Sequence, residues 1–100
     1  MRYTNAATRT AEETIVEVLT DLDKSYQIIV WNDEVNTFEW VIETLIEVCA
    51  HSTEQAEQCA MIIHTKGKYA VQQGSYEDLK PKVDAITDRG IGATLEVLTG

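Results

Sequence analysis

The sequence predicts a small α+β domain, one sheet with helices packed on it, in the order strand, helix, helix, strand, helix, strand. Three observations lead there. The run Tyr26-Gln27-Ile28-Ile29-Val30-Trp31 is short, β-branched and aromatic, with apolar residues on both faces, as in a central strand. Three places carry helix-start chemistry: Asn36 with Glu39, Ser52 with Gln55, and Ser75 with Asp78. Gly67, Gly74 and Gly90 punctuate the chain where elements should end. One hundred residues suffice for one domain with one modest core.

Residues 1–24 are Thr-rich and mixed in charge, with one apolar patch at 15–19, and no turn signal ties them down. They read as a mobile extension before a core at 25–100. After the first strand a helix is expected from Asn36, capped by its side chain, with Glu39 reciprocating and Val35 stapled to Trp40. Phe38, Val41, Ile42, Leu45, Val48 and Cys49 give it an apolar face, while Glu39, Glu43 and Glu47 form a solvated stripe. His51-Ser52-Thr53 breaks the helix, and Ser52 with Gln55 opens the next as a capping box. Ala56, Cys59, Ala60 and Ile63 form its stripe, and Gly67 suits a left-handed C-cap. Residues 68–73 alternate weakly as a strand closed by Gly74. Pro81 deep inside a helix would cost on the order of 3 kcal/mol, so a turn is expected at 75–79 and the helix from Lys80 or Pro81. Gly90 ends it, and 94–98 forms the last strand.

Composition narrows function. Seventeen acids against eight bases give a net charge of −9, which repels nucleic-acid phosphates, and no basic patch offsets it. The longest uncharged runs are eight residues, far short of a membrane span. Residues 1–24 lack a signal-peptide pattern and carry five acids, and two cysteines make no disulfide framework. The chain therefore reads as intracellular and cytoplasmic.

The chemistry concentrates in Trp31-Asn32-Asp33-Glu34-Val35-Asn36, which sets two amides and two carboxylates at a strand-to-helix corner. Carboxylates, amide oxygens and neutral imidazole are acceptors, suited to a cationic, donor-rich ligand such as an ammonium group. The same residue types also fill turns and caps. His64 sits one turn beyond Ala60, at the margin of the apolar stripe rather than in solvent, a place common for a core-edge hydrogen-bonding residue. Ser52 and Ser75 serve as caps, so no catalytic triad is indicated. Cys49, His51, Cys59 and His64 lack zinc-site spacing, and there is no glycine-rich phosphate loop. No metal or cofactor is expected.

The run from Ile28 to Ile42, followed by Glu54-Gln55-Ala56 and by Ile63-His64-Thr65-Lys66-Gly67-Lys68, resembles the ClpS adaptor family. That family opens with a strand, Asn-Asp-acid and a helix, and carries a later His-x-x-Gly-Lys. The similarity spans about Tyr26 to Val97. It implies a fold like the C-terminal domain of ribosomal stalk proteins. It also implies a non-enzymatic adaptor for the bacterial N-end rule, binding proteins whose first residue is Phe, Tyr, Trp or Leu. Such adaptors hand their substrates to a Clp ATPase of ClpA or ClpC type for degradation by ClpP.

By the same resemblance, Asn32 and His64 match the residues that hydrogen-bond the substrate's α-amino group, and Asp33 and Glu34 match an acidic pair that helps hold it. Asn36 stands where the family usually has Thr. Phe38 replaces a gate Met, and Val41, Ala60 (also usually Met), Ile63 and Ile91 match the side-chain pocket. Glu77 and Lys82 fall where family members touch the ATPase. His64 accepts a hydrogen bond only when neutral, so binding is expected to weaken as pH falls. Two other readings stand beside this one. The first is a non-catalytic interaction domain of the same fold with another partner; the second is a small hydrolase using Asp33 or Glu34 with His64, which would turn over a peptide rather than hold it.

Overall fold

The computed structural model of the protein describes residues 24–98. The expected mobile extension and its apolar patch lie outside them, Lys24 excepted. The elements run β1 Ser25–Trp31, α1 Phe38–Cys49, α2 Thr53–Lys66, β2 Lys68–Gly74, α3 Tyr76–Asp88 and β3 Ala93–Leu98, in the expected order. β1 is central, antiparallel to β2 on one side and β3 on the other. Ile28 and Val30 point into the core with Leu45, Ala56, Ile63, Leu79 and Ile86, which glues all three helices to one face of the sheet. Each of the larger side chains contributes about 1.5–3 kcal/mol on burial, which makes this layer the main source of stability.

Local chemistry sets most boundaries as expected. Ser52 and Gln55 form the full capping box, and Gly67 closes α2 in the left-handed region at φ 93°. The start of α1 differs: the cap is Thr37, whose Oγ1 accepts from Trp40 N–H at 3.0 Å. The Asn36 side chain is engaged elsewhere, and Val35 is 89% exposed, so the expected Asn36–Glu39 box and the Val35–Trp40 staple do not form. The third helix also differs. It starts at Tyr76, capped by Ser75, and runs through Pro81. Glu77 and Pro81 are both exposed, which puts the missing hydrogen bond on the solvent side of the helix. Burial of Leu79, Val83 and Ile86, at about 1.5–3 kcal/mol each, outweighs a proline cost of about 3 kcal/mol.

The β1–β2 ladder shifts register between Ile28, opposite Gln72, and Ile29, opposite Ala70, leaving Val71 as the extra residue of a bulge. The bulge carbonyl is satisfied by His51, whose Nε2 lies 2.9 Å from Val71 O. A carbonyl only accepts, so His51 donates from Nε2 and its Nδ1 is left as an acceptor, 3.9 Å from Cys59 Sγ.

Candidate functional site

The loop of residues 32–37 joins β1 to α1, and its shape follows from Asp33 and Asn36. Asp33 Oδ1 accepts from the N–H groups of Val35 (2.9 Å) and Asn36 (2.8 Å), the self-bonding turn that aspartate favours. Its Oδ2 accepts from Asn36 Nδ2 at 2.8 Å. These bonds, chiefly those from Asn36, hold the Asp33 carboxyl below its ordinary range. Asn36 Nδ2 also donates to Gly90 O at 2.9 Å, so both of its amide hydrogens are engaged and its Oδ1 is left to accept. At the loop's start, Asn32 N–H donates to Gly67 O at 2.9 Å. That bond ties the loop to the C-terminus of the helix carrying His64.

Loop and helix enclose a cavity of about 470 Å³. Asn32, Asp33, Glu34, Asn36 and His64 give it a polar side; Phe38, Val41, Ala60 and Ile63 give it an apolar one. Nine of the residues singled out by sequence thus converge on one hollow. Thr37, the helix cap, also lines it and was missed; its signal was a cap-capable hydroxyl three residues before Trp40. Ile91 is not on the lining: it is 2% exposed and packs in the core. Glu77 and Lys82 lie on α3 away from the cavity, Glu77 exposed and Lys82 Nζ 3.3 Å from Gln72 Oε1.

His64 corrects an expectation. It is exposed rather than tucked at the core's edge, and its side chain makes no hydrogen bond among the described residues. The Phe38 ring stands edge-on to it, at 6.4 Å between centroids and 87° between planes. The side chain of Asn32 likewise has no hydrogen-bond partner among the described residues. Two acceptor-capable groups therefore face the hollow unspent. The electrostatics favour a cation, because Glu34 and Asp33 line the same side and the negative end of the α2 dipole lies at Gly67. The nearby Lys68 is folded over Trp31, its Nζ 4.7 Å from the ring centroid.

Among the described residues no three His, Cys, Asp or Glu side chains group as metal ligands. Cys49 and Cys59 are free and buried; burial pushes the Cys49 thiol up to about 11 and raises that of Cys59. Both are protonated at neutral pH. No helix among the described residues is long and apolar enough to cross a membrane.

The family model of the ATP-dependent Clp protease adaptor protein ClpS matches residues 21–97. The chain belongs to the ClpS family. A ClpS adapter of Streptomyces coelicolor is 33% identical over 89 residues, covering 89% of this chain and 91% of that one. One from Corynebacterium jeikeium is 30% identical over 95 residues, covering 95% and 93%. The structure of Agrobacterium tumefaciens ClpS2 bound to L-phenylalaninamide matches in fold, with a TM-score of 0.65 at 22% identity over 75% of this chain and 98% of that chain. In this ClpS chain the cavity thus lies where the strand-loop-helix opening of the sequence meets the His64 helix.

Proposed function

We infer that this ClpS chain binds polypeptides by a free N-terminal ammonium and a bulky apolar first side chain, Phe, Tyr, Trp or Leu, and delivers them to a Clp AAA+ ATPase of ClpA or ClpC type working with ClpP. The observation that carries this reading is the two-sided cavity, with unspent acceptors on Asn32 and His64 opposite an apolar wall. An ammonium offers three donors. Asn32, His64 and the Asn36 oxygen supply acceptors, while Asp33 and Glu34 add negative potential. An aromatic or leucyl side chain fills the wall of Phe38, Val41, Ala60 and Ile63, whereas alanine leaves it unfilled. Phenylalaninamide, the ligand of the Agrobacterium relative, combines a free α-amino group with a benzyl side chain and so has this chemistry. Binding requires no bond breaking, so the role is that of an adaptor and not an enzyme, acting in the cytoplasm. Residues 1–24 form an extension to the adaptor core in this reading, with Glu77 and Lys82 on the ATPase-facing side of α3.

The test is fluorescence anisotropy with labelled peptides beginning Phe, Tyr, Trp, Leu, Val or Ala, each beside its N-acetylated twin. Binding is expected only for free bulky termini and is lost in His64→Ala. Equal binding of acetylated peptides would overturn the reading, and a cleaved product in mass spectra after overnight incubation would turn it toward hydrolysis.

A further inference from the structure

We propose that Arg89, which lies outside the cavity, is a positioning residue for the amine-binding loop and acts through Gly90 and Asn36. Arg89 caps the C-terminus of α3 and is gripped by one face of α1 at both its ends. Its backbone carbonyl accepts from Trp40 Nε1 at 3.1 Å. Its guanidinium lies over the Trp40 ring, 5.4 Å from the centroid. Nη1 donates to Glu47 Oε1 at 2.8 Å and to Thr44 Oγ1 at 3.3 Å. Thr44 is 1% exposed, so this bond satisfies a buried hydroxyl rather than decorating the surface. Residues 40, 44 and 47 recur at helical spacing, which is why one arginine reaches all three.

The next residue, Gly90, turns through the left-handed region at φ 86° and presents its carbonyl to Asn36 Nδ2. Gly92 O takes the N–H of Trp31 at 2.9 Å. The 89–92 corner therefore receives three bonds, from the end of β1, from the loop and from α1. Asn36 depends on it most. With both amide hydrogens fixed, on Asp33 and on Gly90, the Asn36 oxygen has one orientation; released from Gly90, the amide is free to swing about its remaining bond. A shift of the corner thus reaches the amine site without touching it. This inference rests on the adaptor reading for its ligand, and its experiment separates the two.

Arg89→Lys and Arg89→Ala are compared with the natural chain by two readouts: anisotropy with a free Phe-led peptide, and the NMR signals and hydrogen exchange of the Asn36 side-chain amide. Arg89→Ala is expected to weaken binding about tenfold, move the Asn36 amide signals to the free-amide position and speed their exchange. In an Asn36→Ala background it should add little. Arg89→Lys keeps a charge for Glu47 but lacks the flat fork that stacks on Trp40 and reaches Thr44. It should fall between the two, and it decides the matter alone if the alanine variant does not fold. A purely structural role would lower the melting temperature while leaving the affinity and the Asn36 signals of the folded protein unchanged, and that result overturns the proposal. If the natural chain binds no free-amine peptide, the adaptor reading fails. The Asn36 signals then decide the positioning role: moved in the Arg89 variants they support it, unmoved they refute it.

Discussion

The backbone N–H of Asn32 donates to the carbonyl of Gly67 at 2.9 Å, three residues beyond His64. Through this bond the two unspent side chains of the site are held at a fixed spacing, because Gly67 in turn closes α2 on Ile63 O at 2.9 Å. Gly67 holds φ 93°, and a Cβ there would meet nothing within 4 Å. Gly67→Ala therefore introduces backbone strain without a clash. It should cost about 1–2 kcal/mol in urea unfolding, and it should weaken free-amine peptide binding by displacing Asn32 from His64. Unchanged affinity in the folded variant would mean that the spacing does not matter.

Asp33 makes the loop sensitive to acid. Its carboxyl is held below the ordinary 3.8 by bonds that only the ionised form accepts fully, chiefly from Asn36. The folded-state value is the lower one, so the stabilisation is complete above 3.8 and is lost as pH falls through the depressed folded value. Asp33→Asn removes that term and sets an amide against the Asn36 amide. The stability gap between the two proteins, measured by urea unfolding, should be constant from neutral pH down to about pH 5 and close below the ordinary carboxylate range. A gap that widened on acidification would refute this account.

Features set by nearby residues were legible in the sequence. The apolar faces of β1, the Ser52–Gln55 box and the Gly67 cap each depend on contacts within a few positions, and all three formed. Nine of the candidate residues line one cavity because the sequence motifs that hold them are brought together by the fold. The misses have non-local causes. Asn36 and Thr37 are both cap-capable; what removes Asn36 from the cap is its second amide hydrogen finding Gly90, 54 positions away. The Val71 bulge is paired by His51 from another element, 20 positions earlier. Arg89 left only a faint trace, the spacing of Trp40, Thr44 and Glu47.

Pro81 leaves a measurable deficit in α3. Pro81→Ala restores an N–H for the Glu77 carbonyl and relieves the ring's crowding of the preceding turn, against a penalty of about 0.4–1 kcal/mol for a freer unfolded chain. A net gain of about 1–2 kcal/mol is expected, raising the melting temperature by about 4–8 °C per kcal/mol in calorimetry. No gain would mean that the helix has already absorbed the proline without strain.

Ala50 is the one non-glycine residue at positive φ among the described residues, 58° at the C-cap of α1. An L side chain in the left-handed region costs about 1–2 kcal/mol, partly offset because glycine is the more flexible residue in the unfolded chain. Ala50→Gly should therefore stabilise by about 0.5–1 kcal/mol, as read by urea unfolding, and leave peptide binding unchanged because Ala50 lies outside the cavity lining.

The apolar wall can be tested by filling it. Ala60 is buried on α2 and shares the lining with Val41, Ile63 and Phe38, so its small side chain is what leaves room at that point of the 470 Å³ cavity. Ala60→Leu adds three carbons at a position only 2% exposed, so the folded variant should show a lower melting temperature than the natural chain. The part of the new side chain that reaches the cavity takes space from the ligand. Overpacking costs about 1–3 kcal/mol, so Phe- and Trp-led peptides should bind about 5- to 150-fold more weakly, with Leu-led peptides losing less because leucine is shorter. Anisotropy across the three peptides reads the order directly. Uniform loss would mean that the loop, not the wall, was disturbed; no loss would place the first side chain elsewhere.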